Sequence, residues 1–162
     1  YTYGVKTGLS KTEAAILTST YWIGFMLGRF ATVFLARKSH GILAIQIGAL
    51  LNIATCALLY LRFDSLLLPC ALIYGIAAAP QFPLMFGFIG NRTSLSGKMT
   101  ARIVGTAGIS STTLPWLAGQ FLERVGVWTF PVFLAATAAT VFIATKLITN
   151  SFGISEHVSK RA

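Results

Sequence analysis

Five blocks of about twenty apolar residues follow one another along the chain, each long enough to cross a bilayer as a helix and each closed by polar or charged residues. They run from about Ala14 to Ala36, Ile42 to Leu61, Leu66 to Ile89, Ile103 to Leu122 and Val127 to Ile148. A core built from 162 residues could not bury that much apolar surface on all sides, so a lipid bilayer is the expected partner. Composition agrees. Apolar residues make up 55% of the chain and charged ones 10%, against roughly 25% charged in an ordinary soluble domain. The expected fold is all-α and integral to a membrane.

Local signals mark the edges of the blocks. Ser10, followed three residues on by Glu13, reads as a capping box ahead of the first block. Arg62-Phe63-Asp64-Ser65 stops the second, and Glu123-Arg124-Val125-Gly126 reads as a tight turn between the fourth and fifth. Gly90 to Arg102 is read as a long polar loop, and a polar tail from Thr149 to Ala162 closes the chain. Cys56 and Cys70 lie in or beside apolar runs with no CxxC spacing. They read as small apolar residues, the alternative being one pairing near the same membrane face.

Alternate loops lie on opposite sides of a membrane, so Lys and Arg near the block ends decide orientation. One side receives Arg37, Lys38, Arg92, Lys98, Arg102, Lys146, Lys160 and Arg161; the other receives Lys6, Lys11, Arg62 and Arg124. The first is read as the cytoplasm, which places the tail inside and Tyr1 to Glu13 outside. The net charge of +9 is then loop charge rather than a phosphate-binding face, and nucleic acid is not an expected partner. Asn91-Arg92-Thr93 fits a glycosylation sequon but falls on the cytoplasmic side, where no oligosaccharide is added. The chain opens on Tyr1-Thr2-Tyr3-Gly4 without an initiator methionine and reads as a fragment. No signal peptide is read, because the first apolar block contains Arg29 and outruns a signal core.

Arg29 is the one charge well inside a block, and such a residue faces a polar cavity or a partner, or snorkels to the headgroups. On a helical wheel Thr18, Trp22, Phe25 and Arg29 share a face, while Gly24 and Gly28 lie on the far side as a GxxxG packing pair. In the third block Pro80 and Pro83 each remove a backbone bond, freeing the carbonyls of Ile76 and Ala79 at membrane depth. Broken helices at that depth are tolerated where backbone is buried in protein or lines a solute site, and Gln81 beside the break offers donors and an acceptor suited to hydroxyls. The other reading is a kink that serves packing alone, with Gln81 bonded to a neighbour. In the fourth block Gly105, Gly108, Thr112, Pro115 and Gly119 recur at steps of three and four, a pattern of close helix packing. All four acids and both histidines fall in loops or the tail, so no metal site, acid–base pair or other catalytic centre can be assembled at membrane depth, and no enzyme is expected.

This succession resembles the C-terminal half of a major facilitator superfamily transporter, in the branch that includes fucose permease and the sodium-dependent glucose transporters. Tyr21-Trp22-Ile23-Gly24-Phe25-Met26-Leu27-Gly28-Arg29-Phe30 is similar to that branch's eighth helix, with Tyr1-Thr2-Tyr3-Gly4-Val5 upstream as in the branch. Gly119-Gln120-Phe121-Leu122-Glu123-Arg124-Val125-Gly126 resembles its turn between helices eleven and twelve. The resemblance implies that residues 1–162 hold five transmembrane helices plus the end of a preceding one, corresponding to helices 7 (end) to 12 of a twelve-helix transporter. It departs from the family's loop signature after the eighth helix, where Ala36 stands in place of an acid before Arg37, Lys38 and Gly41.

The resemblance further implies symport of a hexose-like sugar by alternating access in the plasma membrane. The expected solute contacts are Tyr1, Tyr3, Tyr21, Trp22, Arg29, Gln81, Phe82 and Thr112. No cofactor is expected, and any H+ or Na+ coupling site belongs to a missing N-terminal half of the same chain, which is an expected partner of this one. Two alternatives stand beside this reading: a facilitator-family transporter of another solute, such as an organic anion held by Arg29, and a five-helix membrane scaffold or channel subunit.

Overall fold

The computed structural model describes residues 1–37, 41–61, 64–91 and 94–151, with no strand among them. Lys38, His40, Arg62, the sequon positions Arg92 and Thr93, and the tail residues Glu156, His157, Lys160 and Arg161 lie outside the described residues.

The chain opens with a short helix α1, Thr2–Lys6, and turns through Gly8, whose φ of 101° is a left-handed conformation that favours glycine. Helix α2, Lys11–Arg37, then starts on the capping box: the Ser10 backbone N–H donates to Glu13 Oε2 at 2.8 Å and the Glu13 N–H donates to Ser10 Oγ at 3.2 Å. The Ser10 hydroxyl, and next its backbone N–H, hold the Glu13 carboxyl below its usual value. A carboxyl lowered in the folded state adds stability above its unfolded pKa, and that stability is lost as pH falls through the lowered value. Ser10→Ala is expected to bring Glu13 back toward 4.5 and to shrink this pH dependence, as read by NMR titration of the Glu13 carboxyl.

Helix α3 spans Gly41–Tyr60, and a 3-10 turn at Asp64–Leu66 leads into α4, Leu67–Ala78. The third apolar block is two helices, because α4 stops at Ala79 and α5 runs over Gln81–Gly90 with Pro80 as its N-cap. Pro80 cannot donate to the Ile76 carbonyl, and that oxygen sits against Gly28 of α2, in the place a side chain would take. Pro83 falls in the first turn of α5, where a missing N–H breaks no bond within the helix.

Helix α6, Gly97–Arg124, begins six residues before Ile103. The polar run from Gly90 to Arg102 is therefore half helix rather than a loop throughout. Ser96 is the reason: its backbone is extended and its Oγ accepts the Met99 N–H at 3.3 Å, a side-chain cap that starts the helix ahead of the apolar block. The turn into α7, Thr129–Ser151, closes at Gly126 with φ of 132°.

Among the described residues, three of the five apolar blocks form helices long and apolar enough to cross a membrane: Gly41–Tyr60, Leu67–Gly90 and Thr129–Asn150. Helices α2 and α6 are longer, at 27 and 28 residues, but their Gly, Ser, Thr and charged residues dilute their apolarity.

Packing is uneven. Helix α2 lies along α4, α3 touches α4, α5 and α7, and α6 rests on α7. The α2–α4 crossing is a contact of backbones. Leu72 O and Ile76 O occupy the side-chain positions of Gly24 and Gly28, and Tyr21 O that of Gly75. At the end of the bundle where α1 meets the α6–α7 turn, Tyr3, Leu67 and Leu122 form a buried cluster flanked by Leu9, Leu17, Leu59, Val127 and Phe130. The opposite is true of α6, where Ala101 to Trp116 is exposed except for partial cover at Ile103 and Ala107. A methyl added at Gly105, Gly108 or Gly119 would meet nothing within 4 Å among the described residues. The close packing expected of that stripe is not made within them.

Candidate functional site

Beneath the α1 end of the bundle, α1, α2, α4 and α7 line a half-open cavity of about 240 Å³ with Leu59 of α3 in its wall. Its lining is aromatic and aliphatic: Tyr1 and Tyr3, Leu17 and Tyr21, Leu67, Ala71 and Tyr74, Phe130 and Leu134. The helical repeat explains the set, since Leu17 and Tyr21 lie one turn apart on α2, and Leu67, Ala71 and Tyr74 follow one face of α4.

Tyr3 is the anchor of the wall. It is 6% exposed, its ring stacks on Phe130 with centroids 4.9 Å apart, and its hydroxyl donates to the Leu59 carbonyl at 3.3 Å. The hydroxyl of Thr18 is also engaged with protein: its Oγ1 donates to the Ala14 carbonyl at 2.9 Å. The cavity therefore offers mainly ring faces and methyl groups, which suit the apolar faces of a ring-shaped solute better than its hydroxyls.

From the cavity an aromatic series continues along α2. Tyr21 lies 6.3 Å from Tyr74 and 5.2 Å from Trp22, Trp22 lies 5.6 Å from Phe25, and the Arg29 guanidinium carbon stands 5.1 Å over the Phe25 ring. This cation–π contact contributes about 0.5–1 kcal/mol at an exposed position. Trp22 and Arg29 are both exposed, opposite the glycines that face α4. Among the described residues Arg29 makes no ion pair.

The remaining candidates stand apart from the cavity. Gln81, half-buried, donates from Nε2 to the Ala77 carbonyl at 3.2 Å across the break and lies toward Gly48 of α3. Phe82 is exposed and stacks on Phe86, with centroids 6.1 Å apart. Thr112 is on the exposed length of α6, its Oγ1 donating to the Gly108 carbonyl at 3.4 Å. The structure thus brings Tyr1, Tyr3 and Tyr21 to one cavity, sets Trp22 and Arg29 on the adjoining face of α2, and leaves Gln81, Phe82 and Thr112 elsewhere. Tyr74 and Phe130 belong to the cavity and were missed. Each is an aromatic within an apolar block, and only for Tyr74 did the sequence carry a signal, a polar-tipped ring one and a half turns before a proline break.

An all-helical chain with a broken apolar helix, a polar residue at the break and an aromatic cavity at one end has the character of a multi-pass membrane protein. The comparisons place a transporter beside it. Over 144 residues the chain is 29% identical to sodium-dependent glucose transporter 1 of Danio rerio, an alignment covering 86% of this chain and 24% of the relative. The chain thus spans about a quarter of that relative's length. No protein-family model matches the chain, and no solved structure matches it significantly.

Proposed function

We propose that the chain is part of a multi-pass secondary transporter, the C-terminal half of a major facilitator superfamily domain, which moves a hexose-like sugar by alternating access. The similarity to the zebrafish glucose transporter carries this reading. Two features of the fold support it. The Pro80 break puts an amide side chain beside an interrupted apolar helix, and the exposed face of α6 is what remains when further helices of one polypeptide pack there. On this reading all five apolar blocks span the bilayer, the C-terminus is cytoplasmic, the membrane is the plasma membrane, and Na+ or H+ couples through the N-terminal half.

The test is radiolabelled hexose uptake by cells expressing the complete polypeptide, with sodium present or replaced. Gln81→Ala is expected to raise the apparent KM about three- to tenfold at unchanged surface expression, the loss of one hydrogen bond worth about 0.5–1.5 kcal/mol. Unchanged kinetics would remove Gln81 from the solute path. A second reading, transport of an organic anion, is favoured by Arg29, whose charge has no acidic partner among the described residues. The same panel decides between them if it includes a sugar acid, since uptake of that solute alone would displace the hexose reading.

A further inference from the structure

We infer that Cys56 and Cys70 form a paired-thiol site for one soft divalent cation of the mercury(II) class, clamped between α3 and α4 beside the tyrosine-lined cavity. Register carries the placement. A methyl at Gly48 of α3 would stand 2.7 Å from the Ala77 carbonyl of α4, which fixes these two residues face to face. Farther along the same antiparallel pair, Leu59 of α3 and Leu67 of α4 meet in the wall of one cavity. Cys56 lies between these contacts, about 12 Å along α3 from Gly48, and Cys70 lies about 10.5 Å along α4 from Ala77 at 1.5 Å per residue. The two thiols therefore stand at nearly one level on facing helices. Both are free, 1% and 2% exposed, and each is within electrostatic reach of the other.

The donor set selects the ion. Among the described residues no group of three His, Cys, Asp or Glu side chains gathers to hold a metal, so four-coordinate zinc has no site here. Two thiolates suit a soft ion that accepts linear coordination. Charge narrows the choice further: a divalent ion with two thiolates is neutral and stays buried among apolar helices without penalty, whereas a monovalent ion would leave a net negative charge there. On binding, two S–H bonds break, two S–metal bonds form and two protons leave to solvent, with no change of oxidation state. Ala71, next to Cys70, lines the cavity.

The experiment is a mercuric chloride titration of the complete polypeptide purified in detergent, comparing wild type with Cys56→Ser, Cys70→Ser and the double variant, and with the matching alanine variants as a second set. Each single variant and the double variant should lose the same single equivalent of tightly bound mercury. Affinity in the single variants should fall at least about a hundredfold, because the second thiol no longer acts at high effective concentration. Two equivalents lost in the double variant and one in each single variant would show independent thiols and overturn the pairing, as would identical binding in all variants. This readout needs no transport, so its failure and the failure of the transporter reading are separate results.

Discussion

Gly24→Val is expected to prevent the complete polypeptide from reaching a stable folded state, seen as loss of surface expression and of a cooperative thermal transition. The added Cβ would fall on the Leu72 carbonyl oxygen, with the Leu72 carbonyl carbon 3.0 Å and its Cα 3.1 Å away. These are backbone atoms in a helix and cannot rotate aside. Relief requires α2 and α4 to separate, which also lifts Gly28 from Ile76 O and Gly75 from Tyr21 O. Overpacking a core costs about 1–3 kcal/mol where side chains can adjust and more where they cannot. Against a total stability of about 5–15 kcal/mol this is a large fraction. Gly87→Val is the control, since its Cβ meets nothing within 4 Å. Normal expression of Gly24→Val would mean that the α2–α4 contact is not the one described.

Tyr3→Ala carries the next largest effect. It removes a buried ring together with its stack on Phe130 of α7 and its bond to the Leu59 carbonyl of α3, contacts that tie α1 to those helices. Truncating a buried aromatic to alanine costs about 3–5 kcal/mol, so a clear fall in melting temperature is expected. Tyr3→Phe keeps the ring and gives up only the hydroxyl bond, about 1 kcal/mol. The pair also separates two roles for Tyr3. An anchor shows the full loss in the alanine variant and near-normal uptake kinetics in the phenylalanine variant, whereas a solute contact made through the hydroxyl raises the KM of Tyr3→Phe without a matching loss of stability.

Much of this fold was legible one segment at a time. The capping box at Ser10 and Glu13, the break at Pro80 and the glycine turn at Gly126 all act over a few residues, where proline, glycine and capping side chains decide backbone geometry locally. The start of α6 was harder to read because Ser96 caps a polar stretch with no apolar periodicity to announce a helix. Pairing between helices is a different matter. That Tyr74 joins Tyr21 at one cavity, that the carbonyl freed by Pro80 rests on Gly28, and that Cys56 stands level with Cys70 depend on axial register and on which face each helix turns inward. Apolar blocks that are hydrophobic on every side leave that choice open. The closest approach of backbones settles it, and the glycines at 24, 28, 48 and 75 permit that approach at one set of registers.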